Sequence, residues 1–291
     1  MKITLGLVQL SYQHNYQDNM ENIITQIRGA EALGANLVLL PELHNSHYFC
    51  QTADPENLNL AETIPGPSTQ IFSQLAKELK IVLVASLYEK STNGVYYNTA
   101  VVFETDGEIA GIYRKMHIPD DPGYYEKYYF TPSNLGFTPI QTSLGKLGIL
   151  ICWDQWFPEA ARCMALAGAD ILLYPTAIGF SPEDTEEEKL KQLDAWMTVQ
   201  RSHAVANSIP VAACNRTGFE PDPSKHTQGI DFWGSSFITG HQGEFLEIAA
   251  TGSETILTTE IDLKNRDSVQ RVWPYFRDRR IDAYDKITTR S

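Results

Sequence analysis

The stretch GKLGILICWDQWFPEAARC, residues 145–163, decides how the chain is read. Leu147 to Ile151 form a short continuous apolar run, the pattern of a strand covered on both faces. Cys152 ends that run, two tryptophans bracket Asp154 and Gln155, and Pro158 stands where a proline opens a helix. A strand turning toward a helix aims free backbone N–H groups at the residue in the turn. Here that residue is a cysteine.

Outward from this segment, similar runs recur as ITLGLVQL, ANLVLLPE, IVLVASLYE, NTAVVFE, ADILLYPTA, IPVAACN and SSFITG. Helical periods lie between several of them. Residues 18–33 carry Met20, Ile23, Ile24, Ile27, Ala30 and Leu33 on one stripe; residues 68–79 start at Ser68, a candidate cap, and carry Ile71, Phe72, Leu75 and Leu79. Two parts of the chain share a plan: strand 3–10, helix, strand 36–41, and then strand 147–151, helix, strand 170–174. This predicts an α/β layered sandwich with pseudo-symmetric halves and no residue-level repeat. No long Gly/Ser/Pro linker divides the chain, so one domain over residues 1–291 is expected. The acidic run PEDTEEEKLKQ, residues 182–192, opens a helix ending near Asn207, with Glu187 and Lys191 as an i, i+4 pair, and reads as a solvated helix start.

A hydrophobic content of 43% with 20% charged residues is that of a globular chain and excludes disorder. The net charge of −13 argues against a nucleic-acid surface, which needs clustered Lys and Arg, and is compatible with a cationic small-molecule partner. No stretch approaches the roughly 20 apolar residues of a membrane span, so no membrane partner is expected, and MKITLGLVQLSYQHN reads as a first strand. Cys50, Cys152, Cys163 and Cys214 are far apart with no CxxC pair, which fits a reducing cytoplasm better than a disulfide framework or zinc site.

A reactive thiol needs thiolate character and access. Cys163, among small apolar residues in PEAARCMALAG, is expected in the core; Cys50 follows HNSHYF in a loop. Cys214 ends a strand before NRTG and resembles Cys152 locally, although the helix start after Cys152 favours the latter. Glu42 follows ANLVLLP at another strand end, and Arg114 and Lys115 close the run GEIAGIYRK; alone, each reads equally as a solvated charge.

Taken in order, LLPE, YRKMH and ICWD closely resemble the Glu-Lys-Cys triad of the nitrilase superfamily of carbon–nitrogen hydrolases. The opening GLVQL, the PGPST turn at residues 65–69, YNTAVVF and the terminal FRDRRIDAY extend the resemblance over nearly the whole chain. It implies a four-layer α-β-β-α sandwich and hydrolysis of a small-molecule ureido or amide substrate, expected to be cationic. Cys152 would be the nucleophile and Glu42 the general base. Lys115 and the Trp153 N–H would hold the oxyanion, the lysine also favouring the thiolate. Glu126 would orient Lys115, while Tyr48, Asp121, Tyr125 and Trp153 would form pocket walls. The resemblance also implies a homo-oligomer, to which an aromatic and arginine-rich tail over about residues 264–291 would contribute. No metal or organic cofactor is expected, and the His44–His47 pair lies in a loop without the helical frame of a metal motif.

One segment departs from the family's amine-processing members. Thr176-Ala177-Ile178-Gly179-Phe180-Ser181-Pro182 carries Ser181 where a glutamate near the substrate's distal amine is expected, so Glu183 or Asp184 would have to substitute. A carboxylate-bearing carbamoyl amino acid would instead call for guanidinium groups, for which Arg201 and Arg216 are the candidates. A thiol redox protein would use Cys152 without Glu42 or Lys115, and would want a resolving cysteine close by.

Overall fold

The computed structural model describes residues 1–290. The first half supplies β1 (Lys2–Gln9), α1 (Tyr16–Ala32), β2 (Leu37–Leu39), α2 (Pro67–Leu79), β3 (Val82–Lys90), β4 (Tyr96–Phe103) and β5 (Ile109–Arg114). The middle supplies β6 (Ile140–Thr142), β7 (Gly145–Ile149), α3 (Pro158–Leu166), β8 (Ile171–Thr176), β9 (Gly179–Phe180) and α4 (Glu186–Asn207). Then come β10 (Val211–Asn215), β11 (Thr217–Pro221), β12 (Gly229–Trp233), β13 (Phe237–Thr239), β14 (Phe245–Ile248), β15 (Thr255–Asp262) and α5 (Asn265–Val272).

Two six-stranded sheets follow the same plan. One runs β15-β1-β2-β3-β4-β5 and the other β14-β13-β10-β8-β7-β6. Each has a parallel centre, β1-β2-β3 or β10-β8-β7, with antiparallel strands outside it. Alternation sorts the side chains of the first sheet into layers. Leu37, Leu39, Val82, Val84, Ala100 and Val102 face the second sheet in one core, while Val38, Leu40, Leu83, Ala85, Val101 and Phe103 pack with α1 and α2 in another. With α3 and α4 against the second sheet, the order is the four-layer α-β-β-α sandwich expected from the resemblance. A third, three-stranded sheet, β11-β12-β9, stands beside them.

Some boundaries differ from the sequence reading. The strand expected to run to Ile151 ends at Ile149, and a 3₁₀ turn over Cys152–Trp156 precedes α3, which begins at Pro158. Gly66, not Ser68, caps α2: the Gly66 N–H donates to the Thr69 hydroxyl, while Ser68 bonds to Glu62. The acidic start of α4 holds as read, capped by Thr185 with Glu188 closing a capping box and Lys191 paired to Glu187. No helix among the described residues is long and apolar enough to cross a membrane. Of the tail, Phe276 packs beneath Arg162 and Arg266, whereas Val272, Trp273, Tyr275 and Tyr284 are exposed.

Leu39 is fully buried between the two sheets. Leu39→Ala is expected to cost about 2–5 kcal/mol, seen as a lower urea midpoint at unchanged slope.

Candidate active site

The carboxyl ends of the parallel strands bring the chemistry together, as expected for an α/β sheet. Glu42 comes just after β2 and Lys115 directly after β5, while Glu126 opens a 3₁₀ turn, Glu126–Tyr128. The Lys115 ammonium donates to Glu42 Oε1 at 2.7 Å and to Glu126 Oε2 at 2.6 Å, all three side chains being 0% exposed. Asn98 on β4 binds both partners: its carbonyl accepts the Lys115 N–H at 2.8 Å and its Nδ2 donates to Glu42 Oε1 at 2.7 Å. Tyr48 donates to Glu126 Oε1 at 2.6 Å. Glu42 Oε2 is left buried with no partner among the described residues.

The backbone around Glu42 is clamped by Arg216, which sequence reasoning offered as a substrate ligand. Its Nη2 donates to the carbonyls of Glu42 at 2.7 Å and Leu43 at 2.9 Å, and its Nη1 pairs with Glu220 at 2.8 Å. Glu220 in turn accepts the Tyr48 N–H. This buried guanidinium holds a loop in which Leu43 takes a left-handed φ of 48°. Arg201 donates to the Gly243 carbonyl and lies over Phe245, so neither arginine is among the residues lining the cavity.

Cys152 is also left-handed, at φ 42°, and opens the 3₁₀ turn. The first amides of such a turn have no carbonyl within it, which leaves the Trp153 N–H free for a ligand oxygen. The thiol donates to the Ala177 carbonyl at 3.6 Å, while the Glu42 N–H donates to the carbonyl of adjacent Thr176 at 3.3 Å. Consecutive carbonyls at the end of β8 thus anchor both. Asp154, fully buried, ties the turn down: it accepts from the Ile151 N–H at 2.9 Å, the Tyr113 hydroxyl at 2.8 Å and the His117 N–H at 2.9 Å.

Burial, then the Glu42 charge, raises the Cys152 thiol well above its ordinary value, with Lys115 only partly offsetting them. Lys115 does pull the thiol downward, as the sequence reading expected of it, but burial and the carboxylates outweigh that pull. One ammonium faces two carboxylates, and burial opposes the thiolate as well. Burial likewise pushes the Glu126 carboxyl upward against the pull of Lys115. Lys115 itself resists burial and is raised by Glu126 and Glu42, which keep it charged.

A cavity of about 290 Å³ opens on Cys152, walled by Tyr124, Trp153, Trp156, Trp233 and Gln192. Of the expected wall residues Trp153 lines it. Tyr48 sits behind it on Glu126, Asp121 is exposed, and Tyr125 is turned so that its N–H meets the Cys50 carbonyl; its neighbour Tyr124 takes the wall. Glu183 is exposed and absent from the lining. Tyr124 was missed by one residue, and Trp156 was in view as the second tryptophan of the turn. Trp233 and Gln192 come from distant segments that carried no local signal. Cys163, expected in the core, is exposed on α3, while Cys50 and Cys214 are fully buried. His44 packs edge-on against Phe72, and His47 contacts the Tyr12 carbonyl and the His14 ring, so the two imidazoles diverge.

A thiol that opens on a cavity, with two carboxylates and an ammonium buried near enough to act on its charge, in a four-layer sandwich, matches the parts expected of a nitrilase-superfamily hydrolase. The carbon-nitrogen hydrolase family model matches residues 4–271, and the chain belongs to that family. It is similar to an N-carbamoylputrescine amidase of Solanum lycopersicum, 42% identical over 99% of this chain and 95% of the relative. It is also similar to a citrullinase of Francisella tularensis, 42% identical over 98% of each. A solved carbon-nitrogen hydrolase from Helicobacter pylori G27 superposes with a TM-score of 0.97 at 52% identity, covering 100% of this chain and 99% of that one.

Two measurements probe the site without substrate. Iodoacetamide is expected to alkylate Cys163 and, more slowly, Cys152 in the native protein, with the Cys152 rate climbing as pH rises; modification of Cys50 or Cys214 before denaturation would contradict this burial. Burial, with the Arg216 charge beside it, lowers the His44 imidazole from 6.5 to about 3. A depressed folded pKa gives stability that is present above the unfolded value and lost as pH falls toward the folded one, here at up to about 1.4 kcal/mol per pH unit. His44→Leu is therefore expected to flatten the fall in urea stability between about pH 6.5 and pH 4, and an unchanged fall would remove His44 from the account.

Proposed function

We propose that the enzyme hydrolyses N-carbamoylputrescine to putrescine, carbon dioxide and ammonia, a reaction of polyamine synthesis. The observation that carries this reading is a cavity ending on Cys152 with no lysine or arginine among the described residues that line it. Citrulline is N-carbamoylputrescine with a carboxylate added at the distal carbon. An enzyme selecting that carboxylate needs a cation to meet it. The two arginines that sequence offered for that task are engaged elsewhere, Arg216 with Glu220 and loop carbonyls and Arg201 with Gly243.

In this reading Glu42, through its free Oε2, takes the Cys152 proton as the sulfur attacks the ureido carbon. Lys115 and the Trp153 N–H receive the developing oxyanion, each such donor being typically worth about 2.7–4 kcal/mol in the transition state. The proton passes to the departing ammonia, leaving a thiocarbamate on Cys152. Glu42 then deprotonates water, which attacks the thiocarbamate carbon and returns the sulfur to its thiol form. The released carbamate decomposes to carbon dioxide and putrescine. Splitting the reaction in two suits a ureido carbon, which is a poor electrophile. Glu126 and Asn98 act by position, one orienting Lys115 and the other fixing Oε1 so that Oε2 is the basic oxygen.

The test is release of ammonia and putrescine from N-carbamoylputrescine, run beside citrulline and N-carbamoyl-β-alanine. Cys152→Ala is expected to abolish turnover, and Glu42→Gln to lower it about 10²–10⁴-fold. Asn98→Ala is expected to lower kcat with little change in KM, because Glu42 Oε1 loses the donor that fixes the carboxylate's orientation. Turnover of citrulline or the β-alanine derivative alone would move the substrate assignment. Retained turnover in Cys152→Ala would remove the nucleophile.

A further inference from the structure

The substrate reading requires acceptors for a distal ammonium, and Ser181 brings no carboxylate to the wall. What lies next to it is more informative. The Ser181 N–H donates to Asp184 Oδ2 at 3.1 Å, and the Asp184 N–H donates back to the Ser181 carbonyl at 3.0 Å, closing a tight turn just before α4. Two turns into that helix, Gln192 lines the cavity and its Nε2 donates to the same Asp184 Oδ2 at 3.0 Å. Glu183, the other acidic candidate, is exposed, and its N–H is bound to the Ser181 hydroxyl.

An amide whose NH₂ is committed to a carboxylate presents its carbonyl oxygen as the free end. Among the described residues, Gln192 Oε1 and Asp184 Oδ1 accept no hydrogen bond, so the pair keeps two acceptors, one on the cavity wall and one on the carboxyl behind it. Lys189, on the same turn of α4, is paired with Glu186 at 2.9 Å and lies over the Phe180 ring. The cavity wall opposite is aromatic, with Tyr124, Trp153, Trp156 and Trp233, which suits a four-carbon chain and supplies no competing acceptor carboxylate.

We propose that Gln192 and Asp184 form the specificity element for the distal ammonium of the substrate, Gln192 by direct contact and Asp184 by its charge and by holding the amide in that orientation. This inference rests on the substrate reading above. A carboxylate on the carbon bearing that ammonium would be pushed against Asp184, so the pair both attracts the amine and disfavours an amino acid.

The experiment compares N-carbamoylputrescine with N-pentylurea, in which a methyl group replaces the ammonium, in wild type, Asp184→Asn and Gln192→Leu. Each variant is expected to lose about tenfold or more in kcat/KM on N-carbamoylputrescine, mostly through KM, and to keep its rate on N-pentylurea. Added salt should raise the wild-type KM for the amine and leave that for the neutral urea unchanged. Equal losses on both substrates would reveal a merely structural role for the turn, and unchanged kinetics in both variants would remove the pair from recognition; either result overturns the inference and leaves the substrate reading standing. Wild-type turnover of N-pentylurea without N-carbamoylputrescine would sink the substrate reading itself, and the inference with it.

Discussion

The structure around the cavity depends on one buried ammonium held between two carboxylates. Removing an ammonium from water costs several kcal/mol even after relaxation, and a single carboxylate at good geometry roughly offsets it. Lys115 has two, at 2.7 Å and 2.6 Å, and neither carboxylate is exposed. Charges placed this way constrain the chain more than they stabilise it, because losing one partner strands the others in a medium that cannot solvate them. The end of β2, the end of β5 and the turn at Glu126 must therefore meet at one point. Asn98 reinforces the junction from β4 by binding Lys115 through its backbone and Glu42 through its side chain.

That balance of charge bears on the proposed chemistry. In the resting protein burial, then the Glu42 charge, raises the Cys152 thiol well above its ordinary value, and Lys115 only partly offsets them. In the proposed mechanism, once Glu42 accepts the sulfur's proton, the ammonium keeps Glu126 as its ion-pair partner. The environment becomes less negative at the moment when charge appears on the substrate oxygen. In that proposal Lys115, whose pull on the thiol is outweighed at rest, is available to the oxyanion, which is how an electrostatic group can act on the transition state rather than the ground state.

Much of this was legible in the sequence, for reasons that differ by residue. The sheets were readable because strands buried on both faces leave continuous apolar runs, and LGILICWD and ANLVLLPE announce where Cys152 and Glu42 emerge. Glu126 and Lys115 gave no local sign of pairing; the order of three motifs tied Lys115 to Glu42, and Glu126 came only from the family resemblance. Arg216 was misplaced because a guanidinium suited to substrate carboxylates is equally suited to backbone carbonyls and to Glu220, and sequence does not say which it meets. Cys163 was misplaced because small apolar neighbours on a helix do not fix which face turns inward. α3 is only nine residues long, and its buried set is Ala160, Ala161, Met164 and Ala165. Trp233 and Gln192 were invisible for another reason: the wall is assembled from β12 and α4, and their proximity is a property of the fold.

The cavity thus has two parts built on different footings. Its floor is carried by strand ends of the two large sheets, where a shift would break buried ion pairs on several elements at once. Its far wall is carried by the first turns of α4 and by the small sheet of β9, β11 and β12. The loop over residues 181–185 links β9 to α4 and, among the described residues, makes no hydrogen bond to Glu42, Lys115 or Glu126. Substitutions there can change what binds at the distal end while the reacting end keeps its geometry. A cleavage apparatus for a ureido carbon is compatible with an amine, an amino acid or a neutral chain beyond it, and the choice among them falls to a handful of side chains on the wall that bears the least structural burden.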